Sequence, residues 1–375
     1  MTTVAEVAGQ RPGGGAARPA AGRFLALDGL RGIAAFAVIL DHVPGRMIND
    51  FLPGRALSVD FFFTLSGFVL AHAYGVRLCT GMSALAFMRQ RLIRFYPLYL
   101  LGLLIALPLA VYGVSRGRWS GAELAVVVAF GLLFLPAPPL TGSGRAPLYP
   151  LDGPAWSLLF ELIVNFVYGL VARFLSLRLL AYLLPVGAAA VVITIFRHAG
   201  DIGPGWLWVH FDAGLARVLY DFFTGVFLYR LCERWRPPTI PAWLSAGLFL
   251  GIVGVPLSGL WRPAFDSAAA VVMFPLLILV SAGAPVSGVA ARICAGLGLM
   301  SYAVYVIHVP LLGLLSFGVA RTGIQLPGPV FVALVVLTAG GAAALADAYY
   351  DTPLRRWLTA RLVRRKPPVQ GGEHG

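Results

Sequence analysis

The chain has 375 residues, of which 59% are hydrophobic and only 12% are charged. Soluble domains carry roughly a quarter charged residues, so this composition excludes a water-soluble globule, and it excludes intrinsic disorder as well. Lysine and arginine number 29 against 16 aspartates and glutamates, a formal net charge of +13. The arginines lie in short runs between long apolar segments, which is typical of juxtamembrane charges. We therefore predict an all-α, polytopic transmembrane helix bundle with no nucleic-acid partner.

Residues 1–23 are rich in Gly, Pro and Ala and are predicted to form a disordered basic tail, not a signal peptide. A transmembrane core is predicted over 24–358, followed by a second basic, disordered tail over 359–375. About 20 apolar residues are needed to cross a bilayer, and ten such segments occur in the core. The predicted spans are 25–44, 57–75, 94–113, 154–172, 179–196, 207–229, 242–260, 266–283, 296–317 and 329–349.

An eleventh apolar segment, 122–136, is short, and its end is marked by Pro136, Pro138 and Pro139. Its length favours a re-entrant or interfacial piece. If this segment does not cross and the N-terminus is cytoplasmic, most loop arginines and the basic C-terminal tail lie inside, as the positive-inside rule requires. The sequence thus predicts ten spans in a bacterial cytoplasmic membrane, with both termini cytoplasmic. If the segment crossed, every later loop would change sides.

The first span carries Asp28, Arg31 and His42. Helical geometry brings all three to one face, because Arg31 and His42 are nearly three full turns apart. Ionisable groups inside a membrane are costly and indicate function by default. Histidine suits general-base work because its unperturbed pKa is about 6.5. The structural alternative is a packed polar seam in which Asp28 and Arg31 neutralise each other.

Two further motifs follow the first span. Arg91 and Arg94 are three residues apart on a helix, so both can reach one ligand, and guanidinium groups suit phosphate. The alternative for this pair is a charge cluster that sets the topology.

Ser66 and Gly67, in the second span, indicate close helix packing by small residues. A serine nucleophile would need a nearby base, and the sequence identifies none.

Later spans contribute a second group of candidates. Glu161 is a lone carboxylate in the span that contains Trp156, and it either binds substrate or needs an arginine partner. Arg217 is one candidate partner, although Arg217 could instead pair with Asp221 four residues later.

The ninth predicted span carries a polar stripe of Ser301, Tyr305 and His308 at helical spacing. The alternative for this stripe is an interhelical hydrogen-bond seam with His308 neutral.

Taken in order, these blocks resemble the acyltransferase-3 family of multipass membrane O-acyltransferases, from about residue 24 to 358. The resemblance rests on five blocks and a closing segment. They are Leu27-Asp-Gly-Leu-Arg-Gly32 with His42, Asp60-Phe-Phe-Phe-Thr-Leu-Ser-Gly-Phe68, Arg91-Leu-Ile-Arg-Phe-Tyr-Pro97, Trp156-Ser-Leu with Glu161, Ser301-Tyr with His308-Val-Pro310, and Asp351-Thr-Pro-Leu-Arg-Arg-Trp357.

The resemblance implies transfer of an acyl group, usually acetyl from acetyl-CoA, to a hydroxyl of a sugar, polysaccharide or secreted metabolite. It makes His42 the base and assigns Arg91 and Arg94 to the acyl-CoA donor. Asp28 and Arg31, on the same helix face as His42, are the other candidate catalytic residues. The residues expected to bind the acceptor are Trp156, Glu161, Ser301 and His308. No metal is expected. The residues alone leave open a transporter or flippase, and a multipass scaffold without chemistry.

Overall fold

A computed structural model describes residues 24–43, 52–140, 145–199 and 204–363, and within these ranges the chain is helical and contains no strand. The elements are α1 (Leu25–His42), a 3-10 turn (Arg55–Leu57), α2 (Ser58–Cys79), α3 (Ala84–Ser115), α4 (Gly121–Leu132), α5 (Ala155–Val171), α6 (Leu177–Arg197), a 3-10 turn (Trp208–His210), α7 (Phe211–Cys232), α8 (Ala242–Gly254), α9 (Trp261–Ala282), α10 (Gly288–Thr322) and α11 (Gly328–Leu362). The predicted tail at 1–23 and residues 364–375 of the second tail lie outside the described residues.

The all-α class is confirmed, and each predicted span overlaps a helix. In the described part of the chain, 6 helices are long and apolar enough to cross a membrane, namely Arg55–Cys79, Ala84–Ser115, Leu177–Arg197, Trp261–Ala282, Gly288–Thr322 and Gly328–Leu362. The chain is thus an integral membrane protein, and the count of ten spans stays a prediction. Helices α1 and α7 are less apolar because each carries several charged residues, which pack against neighbouring helices.

Close approach between helices depends on glycine at two crossings. At the α1–α10 crossing, a Cβ on Gly298 would lie 2.6 Å from the Cβ of Asp28. At the α2–α7 crossing, a Cβ on Gly67 would collide with the backbone of Phe222, and one on Gly225 with the backbone of Thr64. Small residues let helix backbones meet in this way inside a membrane. The packing interpretation of Gly67 is therefore confirmed.

The last helix differs from its predicted bounds. The predicted span 329–349 continues as α11 to Leu362, so the first residues of the predicted C-terminal tail are helical. A π-helical turn, Asp347–Asp351, interrupts α11 and leaves Asp351 fully buried. Such turns are frequent at functional sites. Here the turn directs Asp351 toward α3.

The end of α4 and its connection to α5 pack against α3. The Tyr99 hydroxyl donates to the Gly131 carbonyl over 2.8 Å, and its ring stacks on Phe134 with centroids 4.0 Å apart. The same connection buries Asp152, and neither of its carboxylate oxygens has a hydrogen-bond partner among the described residues. Burial raises the pKa of Asp152 well above its ordinary value.

Candidate functional site

A central cavity of about 240 Å³ is lined by side chains of α1, α2, α3, α5 and α10. Its charged lining residues are Arg31, Arg91, Arg94 and Glu161, three positive groups against one negative, which leaves a balance of +2. Most of the remaining lining is apolar, including Val59, Phe62, Phe63, Leu65, Val69 and Leu70. Four residues predicted to bind a ligand, Arg91, Arg94, Glu161 and Ser301, therefore meet here, together with the catalytic candidate Arg31.

Arg91 and Glu161 form an ion pair across α3 and α5. The Arg91 Nη2 atom lies 2.9 Å from Glu161 Oε1, and the Ser66 hydroxyl donates to the same oxygen over 2.6 Å. The Arg91 guanidinium also lies 4.5 Å from the centroid of the Phe95 ring. Glu161 thus has an arginine partner, but it is not the candidate Arg217, because α5 presents Glu161 to α3 and α2 and not to α7.

Arg94 is held by the π turn of α11. Its Nη1 atom lies 3.4 Å from Asp351 Oδ2, and its guanidinium lies 4.8 Å from the centroid of the Tyr302 ring. Arg355 Nε contacts the same Asp351 oxygen over 2.8 Å. The sequence alone does not indicate this role for Asp351. The signal was the closing motif, whose carboxylate had no assigned partner.

Arg31 links α1 to α10. It pairs with Asp28 over 2.9 Å, donates from Nε to the Ser301 hydroxyl over 2.9 Å, and donates from Nη2 to the Gly298 carbonyl over 2.6 Å. Asp28 and Arg31 therefore neutralise each other, as the alternative interpretation of a packed polar seam requires. Arg31 nevertheless lines the cavity, so pairing and ligand binding are compatible.

His42 and His308 face each other at the opposite end of α1 from Arg31. His308 is fully buried, and its Nδ1 lies 2.7 Å from the Tyr305 carbonyl oxygen. A carbonyl only accepts, so Nδ1 carries the proton and His308 Nε2 is an acceptor in the neutral ring. That Nε2 lies 3.2 Å from His42 Nδ1, which also lies 3.0 Å from the Val38 carbonyl oxygen. His42 Nδ1 is therefore the donor, and His42 Nε2 keeps its lone pair.

Neither histidine lines the central cavity. The cavity lining reaches Phe62 and Tyr305, whose ring centroids are 5.5 Å apart, and His308 lies one helical turn beyond Tyr305. The Tyr305 hydroxyl is 2.6 Å from that of Ser157, which fixes its ring. His42 itself is exposed, whereas His308 contacts only protein.

A buried ion pair joins α2 to α7. Arg217 donates from Nε and Nη2 to the two carboxylate oxygens of Asp60 over 2.7 and 2.8 Å. The alternative pairing of Arg217 with Asp221 is wrong, since the guanidinium reaches across to α2. Trp156, expected to bind the acceptor, instead packs 5.7 Å from Arg217 and does not line the central cavity.

The sequence is similar to proteins that are already known. The family model Acyl_transf_3, described as an acyltransferase domain, matches residues 24–347. "Protein 2 in picA locus" of Rhizobium radiobacter is 39% identical over 184 residues, which cover 46% of this chain and 94% of that protein. "Acyltransferase MdmB" of Streptomyces mycarofaciens is 29% identical over 341 residues, which cover 82% of this chain and 81% of that protein. No solved structure shows a significant match.

Proposed function

This chain belongs to the acyltransferase-3 family and is a transferase, and from that premise we propose that it moves an acyl group from acyl-CoA to an acceptor hydroxyl. The donor is acetyl-CoA in the first instance. The acceptor is a sugar, a polysaccharide or a secreted metabolite. The central cavity carries this proposal.

The cavity suits CoA in both charge and polarity. CoA joins a polyanionic nucleotide to an uncharged pantetheine arm. The three arginines give the cavity a positive lining, and guanidinium forks bind phosphate oxygens strongly. The apolar residues between α2 and α5 provide a dry channel for the arm, which suppresses hydrolysis of the thioester. We place the phosphates at Arg91 and Arg94 and the thioester toward Phe62 and Tyr305.

His42 is the proposed general base. Its free Nε2 lone pair accepts the proton of the acceptor hydroxyl as the hydroxyl oxygen attacks the thioester carbonyl carbon. The C–S bond breaks, and the CoA thiolate takes up the proton. Because His42 is exposed at the end of the bundle opposite Arg31, the acceptor reaches it from that end. His308 acts as a positioning residue, since its Nε2 fixes the tautomer of His42.

Donor binding is the first test. Protein purified in detergent is titrated with labelled acetyl-CoA, and the variant Arg91→Ala/Arg94→Ala is compared with Arg321→Ala. Arg321 contacts Tyr112 and Phe317 outside the cavity, so its loss serves as a matched control. Each charge-assisted hydrogen bond contributes about 1.5–3 kcal/mol, so we expect donor affinity to fall more than tenfold in the double variant alone. Equal affinity in all three proteins would refute the proposed donor site.

Acyl transfer is the second test. His42→Ala should lose about 10²–10⁴-fold in transfer rate while retaining acetyl-CoA binding, since a general base acts on the chemical step. Wild-type transfer by His42→Ala would remove the base from the mechanism.

A transporter would move its substrate into liposomes without acetyl-CoA, which this proposal does not allow. Mass comparison of glycans and metabolites from deletion and parent strains would identify the acceptor through a missing acetyl group.

A further inference from the structure

A second cavity, of about 640 Å³, lies where α1 ends and α2 begins. Its charged lining residues come from α1, the first 3-10 turn, α2, α7 and α9. They form three ion pairs, Asp41–Arg55, Asp60–Arg217 and Arg262–Asp266, each with a nitrogen–oxygen distance between 2.7 and 2.9 Å. We call this site the charge-balanced cavity. Nothing in the proposed donor site uses it.

The charge balance separates the two cavities chemically. In the second cavity all three aspartates line the wall beside their arginines, whereas Asp28 and Asp351, the partners of Arg31 and Arg94, do not line the central cavity and leave those guanidinium groups facing it. A polyanion such as CoA gains little from a wall without net charge, and the same is true of a cation. A hydroxyl group both donates and accepts, so it can bond to guanidinium and carboxylate groups alike. The ion pairs also hold one another in place, so these donors and acceptors are fixed before a ligand arrives.

The location of the cavity connects it to the proposed reaction. Asp41 lines the charge-balanced cavity, and the next residue is His42, the proposed base. On α2, Val59 lines the central cavity and the next residue, Asp60, lines the charge-balanced one. The two cavities thus meet on either side of the first turns of α2. The volume of the charge-balanced cavity falls within the usual range of ligand pockets, about 300–1,000 Å³.

We propose that the charge-balanced cavity binds the acyl acceptor as a neutral polyhydroxylated molecule, a sugar residue in the first instance. This inference rests on the proposed function, which requires an acceptor site distinct from the CoA site. The ion pairs bind ring hydroxyls, and one hydroxyl is left directed toward His42. The sugar is either part of a glycan or attached to a secreted metabolite, and the two share this chemistry.

Cysteine protection tests the inference without knowledge of the natural acceptor. Ser258, which lines the cavity, is replaced by Ser258→Cys after Cys79, Cys232 and Cys294 have been changed to serine. The rate of maleimide labelling is then measured with methyl glucoside, glucosamine, glucuronate or acetyl-CoA present. Ser115→Cys, an exposed position at the end of α3, is the matched control.

We expect methyl glucoside to slow labelling of Ser258→Cys several-fold and to leave Ser115→Cys unchanged. The cationic and anionic sugars should protect less, and acetyl-CoA should not protect. An oligosaccharide and a glycosylated macrolide, added in separate reactions, distinguish the two sources of the sugar by which protects at lower concentration. Protection by acetyl-CoA, or equal labelling with every sugar, would overturn the inference.

A second variant keeps the charged residues intact. Ser258→Trp fills the cavity, so acyl transfer should be lost while acetyl-CoA binding persists; unchanged transfer would overturn the inference. Failure of the proposed function has a different signature. It would show as absent acetyl-CoA binding to the unaltered protein, whatever the labelling at residue 258.

Discussion

At His42, the proposed general-base chemistry depends on which ring nitrogen carries the proton. The Tyr305 carbonyl fixes the proton of His308 on Nδ1, and His308 in turn fixes that of His42 on Nδ1. A chain of two imidazoles thus sets the lone pair that the base requires. The second ring is as much a part of the proposed site as the first, although it is buried away from any ligand.

Replacing the second imidazole should separate orientation from binding. In His308→Phe the ring shape is approximately kept but the acceptor atom for His42 Nδ1 is lost. We expect kcat to fall about tenfold or more, with the KM for acetyl-CoA unchanged. His308→Gln restores an acceptor oxygen and should recover part of kcat. Steady-state kinetics of both variants check this, and an equal loss in the two would mean that His308 serves packing alone.

The buried carboxyl group of Asp152 should make the stability of the folded protein depend on pH. Burial raises its folded-state pKa above the unfolded value, so the unfolded state releases its proton first and stability falls as pH rises. Asp152→Asn removes this titration. We expect the variant to unfold at a higher temperature than wild type at about pH 8, with the difference shrinking at about pH 5. Thermal unfolding in detergent measures it, and a difference that does not change with pH would contradict the assignment.

Among the elements, α2 and α7 are the pair whose distance is least adjustable. Gly67 and Gly225 place backbone against backbone, and the Asp60–Arg217 pair lies on the same interface. Spreading these helices would therefore separate an ion pair that has been removed from water, which is strongly unfavourable. This crossing includes α2, which lines both the central cavity and the charge-balanced cavity.

A methyl group at this crossing should be costly. In Gly67→Ala the new Cβ meets the Phe222 backbone, and overpacking of this kind costs about 1–3 kcal/mol. Gly251→Ala, in α8, is the control, because a Cβ there meets nothing within 4 Å and alanine favours the helix. We expect a lower unfolding temperature for Gly67→Ala only. Equal temperatures for both variants would show that the crossing can relax.

For the whole molecule, we predict that both termini are cytoplasmic. Ten spans with an uncrossed 122–136 segment would put the termini on one side of the membrane, and the positive-inside rule selects the cytoplasm. A phosphatase reporter fused after the last residue should therefore be inactive, and a cytosolic reporter such as β-galactosidase active. A fusion in the loop after α3, at Arg116, gives the opposite expectation and serves as the control. An active phosphatase at the C-terminus would mean that α4 crosses.

The all-α class and the approximate positions of the helices are predictable from the sequence, because long apolar segments mark them, whereas the number that cross the bilayer stays a prediction. Five polar residues identified one by one, Arg31, Arg91, Arg94, Glu161 and Ser301, do line a single cavity. Each belongs to a motif whose spacing places it on a definite helix face.

Ion pairs between side chains of different helices are not predictable in this way. Whether Glu161 pairs with Arg91 or Arg217 depends on which helices are neighbours, and hydrophobic packing in lipid leaves that order unspecified by any local pattern. For the same reason, the sequence does not predict the Asp60–Arg217 pair. It also indicates that His308 binds a ligand, whereas in the structure His308 is buried behind Tyr305.

The buried Asp351 has a consequence for biogenesis. It supplies the counter-charge of Arg94 from a turn near the end of α11, more than two hundred residues downstream. During synthesis, Arg94 enters the membrane long before that carboxylate exists. The proposed donor site is therefore completed only when the final helix packs against α3, and we expect a nascent or truncated chain to be unable to bind acyl-CoA there.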